Sequence, residues 1–205
     1  MKKTLLFFPF FIFFAVISSH SLFSDRILYA EQYYQLFHRH FYQYPEDSLE
    51  NIYYLELALN ANFANPLYAL AKIKDKTEYQ RYTHLFRMHV NLKIIEQYLI
   101  LGSKYDKFEV YFFNKEGPWK NAICESVKTA EWAYTTAKYY WEQAKMWSTQ
   151  AFGLRRIHLD AIQSWEDENF RIETRDLDYE RIINKQLARI AEARQYLECA
   201  PNSPN

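Results

Sequence analysis

The chain has 205 residues, with 25 Lys and Arg balanced by 25 Asp and Glu, and 19% of its residues are aromatic, led by 18 Tyr. Without a basic excess nothing neutralises a phosphate backbone, so nucleic acid is excluded as a partner, and no acidic block marks a solvating tail. Only 3 Gly and 6 Pro are present; strand-rich folds need frequent turns built from such residues, so the composition points to long helices.

The chain opens on Lys2 and Lys3, a Phe-rich apolar run from Leu5 to Ile17, and Ser19-His20-Ser21. This order reads as an export signal over residues 1–21, with cleavage after Ser21 or as late as Ser24. The apolar run is shorter than the ~20 residues of a membrane span. The membrane therefore enters only through a signal left uncleaved, and the expected location is the periplasm. No Cys lies near the cut, so no lipid anchor is expected.

Residues 25–200 read as a single all-α domain, and 201–205 as a disordered tail. Over 25–42, Ile27, Ala30, Tyr34, Phe37 and Phe41 recur at helical spacing. Pro45 interrupts, and Glu46-Asp47-Ser48 supplies capping and acidic groups for a second helix over 49–62. Asn65-Pro66 is a cap followed by a first-turn proline. Asp75 or Thr77 then caps a long helix ending near Gly102, a residue suited to a left-handed terminus. Leu85, Met88, Leu92, Ile95 and Leu99 line one side of it, with Phe86, Val90, Ile94 and Leu101 beside them. A helix apolar over so much of its girth belongs in the centre.

Residues 103–117 form the one irregular stretch, carrying Tyr105, Tyr111, Phe112 and Phe113. Such a loop either folds over the core, the reading favoured here, or presents a sticky edge. Pro118 opens a third long segment running to Gly153. In it Ile123, Val127, Ala130, Tyr134, Ala137, Trp141, Ala144, Ser148 and Ala151 alternate steps of four and three. Much of this seam alternates large and small residues, so it predicts close contact with another helix. Trp132 and Trp147 lie off the seam and mark either a second buried side or a docking patch. Residues 154–197 contain neither Gly nor Pro. One helix of that length would far exceed the ~11–12-residue mean, and a bend is expected near Thr174.

Catalytic patterns are missing from the sequence. His84 and His89 are five residues apart, which turns them away from a shared metal-facing side. His38 and His40 point in nearly opposite directions. Glu166, Asp167 and Glu168 read as a solvated face, and three isolated glycines make no phosphate loop. The expectation is a non-enzymatic protein with no cofactor and no metal. Cys124 and Cys199, the only thiols, either pair in an oxidising compartment or stay as small buried hydrophobes; both alternatives stand.

Three stretches carry a resemblance. Ala137-Lys-Tyr-Tyr-Trp141-Glu-Gln-Ala144 places small, large and small residues at steps of four and three, and Ala193-Arg-Gln-Tyr-Leu197-Glu-Cys-Ala200 repeats the spacing. Asn51 to Leu59, followed by Asn65-Pro66-Leu-Tyr68-Ala-Leu70-Ala71, looks like the close of one helical hairpin and the opening of the next. These resemble tetratricopeptide repeats, whose stacked hairpins form a concave surface for partner proteins. The segments do not recur at the ~34-residue period, and the leading-helix Trp, Leu and Gly are missing, so a degenerate array or a helical bundle is implied. In addition Asn65 to Ile73, Met88 to Ile95, Gly102 to Asp106 and Tyr111 to Asn114 are similar to an envelope protein family of spirochaetes. Members of that group are implicated in the collar around the periplasmic flagellar motor. The resemblance covers roughly residues 46–145 and transfers no defined site.

The expected fold is therefore long antiparallel helices in a bundle or a degenerate repeat-like array. The expected role is binding other periplasmic or envelope proteins, flagellar motor components among them by resemblance. Trp132, Trp147 and Trp165, with Tyr105, Tyr111, Phe112 and Phe113, are the candidate contact residues. The competing expectation is a bundle that holds a small ligand or lipid in a pocket between helices.

Overall fold

A computed structural model describes residues 26–107 and 117–199. The proposed signal, Tyr111, Phe112, Phe113 and the tail lie outside the described residues. Among the described residues six α-helices pack together: α1 Ala30–Gln43, α2 Ser48–Asn60, α3 Lys76–Tyr105, α4 Lys120–Phe152, α5 Gln163–Glu173 and α6 Tyr179–Leu197. No strand occurs among the described residues; Tyr29 and Asn62 form one isolated bridge.

Local chemistry sets the helix starts. The Asp47 carboxylate accepts from the Glu50 amide at 3.2 Å. Asp75 accepts from Thr77 and Glu78, and Asp178 from Arg181. Each acidic cap satisfies an otherwise unpaired amide and sits at the positive end of the helix dipole. α1 and α2 form an antiparallel hairpin, closed where the Ala30 amide donates to the Asn62 carbonyl. α3 is the central rod, buried on several sides by α2, α4 and α5. α4 runs antiparallel to α3 in the most extensive packing of the molecule. Every residue of the α4 seam, from Ile123 to Ala151, is buried. The alternation of rings and alanines lets the α3 backbone approach while the rings fill the grooves.

Gly102 departs from the sequence expectation. It does not end α3, which continues to Tyr105. It lies against the buried ring of Tyr134, whose Cε1 would stand 2.4 Å from a Cβ added at Gly102. Close packing, and not a left-handed terminus, is why glycine stands there. Burial, with Asp106 nearby, pushes the Tyr134 phenol up to about 12. Gly102→Ala should therefore destabilise by about 1–3 kcal/mol through overpacking, despite alanine's better helix propensity. Denaturant unfolding of the variant checks this; a stabilised variant would show that the ring moves freely aside.

The glycine-free stretch after Gly153 is two helices, not one. α5 ends in a Schellman closure: Arg175 adopts φ 65°, its amide returns to Ile172, and the Asp176 amide returns to Arg171. The bend expected near Thr174 is thus a full break, with α6 folding back antiparallel to α4. At the far end Cys199, just past α6, is bonded to Cys124 in the first turns of α4, with Cα atoms 5.6 Å apart. This resolves the alternative left open for the two thiols.

Candidate functional site: a groove between three helices

Two polar regions stand out, one sealed and one open. The sealed one lies where α5 crosses α1 and α3. The Arg81 guanidinium meets the Glu166 carboxylate edge to edge, with Nε 3.0 Å from Oε1, and also donates to the Ala151 carbonyl. Glu166 further accepts from the Leu159 amide. Beside this pair the Tyr34 hydroxyl lies 2.7 Å from His89 Nε2, and His89 Nδ1 lies 2.5 Å from Glu168. Trp165 stacks on His89 with centroids 4.9 Å apart.

Two sequence expectations are corrected here. Glu166 and Glu168 do not solvate a face; both serve the interior, and only Asp167 of the three is exposed. Trp165 is no contact residue. It is 5% exposed, packed among Tyr34, Phe86 and His89. Helical spacing fits a core ring as well as a docking ring, so periodicity alone does not separate them. The Tyr–His–Glu row has the residue types of a proton relay. Burial, with Glu168 adding to it, raises the Tyr34 phenol well above the ordinary tyrosine range, the opposite of an activated nucleophile.

The open region lies between α2 and α4. Both pack on α3 and little on each other, so α3 floors a groove of about 620 Å³. Glu56 and Asn60 come from the α2 wall, Arg87 and Asn91 from the floor, and Tyr139, Tyr140, Gln143 and Trp147 from the α4 wall. Tyr140 donates to Glu56 at 2.7 Å and ties the two walls together. Beside the groove, rings of α4 and α3 form a row. Tyr139 touches Tyr140, Tyr140 stacks on Tyr98, and Tyr98 meets Trp132 edge-on at 5.7 Å. Trp132 is 52% exposed and Tyr139 60%. Tyr53 on α2 is also exposed.

The structure thus places Trp132 and Trp147 on one stripe of α4, fifteen residues apart, or roughly 22 Å along the axis. Trp132 is the exposed ring. Trp147 is half-buried, stacked on His84 and beneath the Arg87 guanidinium. Burial, with Arg87 alongside, lowers the His84 pKa below its usual value. Tyr105 ends α3, beyond the rings that wall the groove. Arg87, Asn91 and Tyr139 were not singled out from the sequence. Asn91 offered one signal: a polar residue between the two apolar stripes of the central helix.

Residues 77–200, more than half of the chain, match the family described as a domain of unknown function (DUF8513). The chain belongs to the DUF8513 family. The DUF8513 segment spans α3 to α6 with both cysteines, while α1 and α2 precede it. The groove therefore joins a floor and one wall from the DUF8513 segment to a wall outside it. No curated protein and no solved structure matches the chain. Among the described residues, no group of three or more His, Cys, Asp or Glu is placed to hold a metal ion, and no helix is long and apolar enough to cross a membrane.

Proposed function

We propose that this DUF8513 protein is a non-enzymatic periplasmic module that binds another envelope protein along the α2–α4 face. The observation that carries the reading is the row of rings from Trp132 through Tyr139 toward Trp147 beside an open groove. Large amphipathic rings left at a surface are the residues that dominate protein interfaces. The Cys124–Cys199 bond suits an oxidising compartment, in keeping with an N-terminal segment that reads as an export signal. The raised Tyr34 phenol is the opposite of an activated nucleophile at the sealed row. The likeness to spirochaete envelope proteins narrows the proposed partner to components of the periplasmic flagellar collar.

A photo-crosslinker placed at Tyr139 in the native cell should capture that partner. The purified partner should then bind the chain, and Trp132→Ala with Tyr139→Ala should weaken binding by about 30-fold or more, as hot-spot rings do. Both rings are half or more exposed, so helix content should not change. Undiminished binding by the folded double variant would overturn the reading.

A further inference from the structure

The groove floor holds two hydrogen-bonding groups that the protein leaves unused. Asn91 is 2% exposed; its Nδ2 donates to the Arg87 carbonyl, and its Oδ1 has no partner. A buried acceptor left unfilled is costly, so its place on the floor of an open groove points to a donor arriving from outside. One turn earlier, the Arg87 guanidinium lies over the Trp147 ring at 4.5 Å and over the Phe63 ring at 5.3 Å. Ring contact occupies the faces of a guanidinium and leaves the in-plane N–H edges free. No carboxylate pairs with Arg87 among the described residues. It is a half-buried cation held in a fixed pose by two rings, a preorganised seat for a planar anion.

We propose that this groove holds an extended, carboxylate-bearing peptide segment of the partner, with the carboxylate on Arg87 and a backbone N–H on Asn91. The spacing agrees. Residues four apart on a helix are ~6 Å apart along the axis, and two residues of an extended chain span roughly the same length. Glu56, held on the opposite wall by Tyr140, gives the groove a negative side that orients the chain, acid toward α3 and donors toward α2. Burial lowers the Arg87 pKa, which an incoming carboxylate would reverse. A neutral saccharide would fill the Asn91 acceptor but leave the guanidinium unpaired, so a peptide acid is the better complement.

The inference rests on the partner-binding reading and is tested apart from it. Three degenerate hexapeptide pools serve as probes: one with a free C-terminal carboxylate, one amidated with a fixed internal Glu, and one amidated with Gln in its place. Binding is read from NMR shifts of the Arg87 and Asn91 side-chain signals. One or both acidic pools should shift them, the Gln pool at least 10-fold less, and which acidic pool binds identifies a chain terminus or a side chain as the source. Arg87→Gln should abolish the shift at Asn91, and Arg87→Lys should restore only part of it, since Lys lacks the fork. Shifts that are equal for the Gln pool, or absent for both acidic pools, overturn the proposal, as does a neutral oligosaccharide binding where acidic peptides do not. If the partner binds Arg87→Gln at full strength but not the Trp132→Ala, Tyr139→Ala variant, this proposal fails and the partner-binding reading stands.

Discussion

Arg81→Met should lower the unfolding free energy by about 3–5 kcal/mol, the usual consequence of leaving one member of a buried ion pair alone. Arg81 and Glu166 are 3% and 6% exposed, and together they join α3, the end of α4 and α5. Removing the guanidinium strands a carboxylate whose remaining help is the Leu159 amide. It also leaves the Ala151 carbonyl without that donor. The pair itself is not expected to contribute that much, because desolvating two ions offsets most of their attraction. The double variant Arg81→Met, Glu166→Met should accordingly recover most of the loss. Urea unfolding of the two variants and the parent measures the difference. A single variant within about 1 kcal/mol of the parent would mean that water reaches Glu166 and that the pair is not sealed.

The second large effect is expected from the disulfide. Cys124→Ser should destabilise the chain by about 4 kcal/mol, because the bond closes a loop spanning 75 residues of sequence and removes that loop's entropy from the unfolded state. Its place matters as much as its length. It ties the segment past α6 to the first turns of α4, and α6 otherwise packs chiefly on α4. Near that end Arg194 pairs with Glu131, a partly exposed contact of modest worth. Losing the bond should therefore loosen α6 before the α3–α4 pair. Hydrogen exchange of the reduced protein should show lower protection across Tyr179–Leu197 than in α3. A reduced protein with unchanged stability and uniform protection would contradict this.

Two features of the sequence misled. Absence of glycine and proline in 154–197 hid how the chain breaks near Thr174: Arg175 and, past α6, Glu198 both take the left-handed conformation usually left to glycine, at φ 65° and 53°. Hydrogen bonds returning to Arg171 and Arg194 hold those turns, so the surrounding structure overrides local preference. Gly102 misled in the opposite sense, being a packing residue inside a helix. Glu166 and Glu168 read as a solvated face because a carboxylate looks solvated until its partner is known. Arg81 and Glu166 are 85 residues apart, and Tyr34 and His89 are 55 apart.

Much of the short-range chemistry was legible before any packing was known. The helical periods, the acidic caps near Asp47 and Asp75, the central place of α3 and the full α4 seam are all readable within a few turns of chain, because a helix exposes its buried face as a repeat. The packing of distant segments decided whether Cys124 and Cys199 met, which tryptophan sank into the core, and where three helices left a gap. Those outcomes depend on distances between segments far apart in the chain, and side-chain repeats carry no record of such distances.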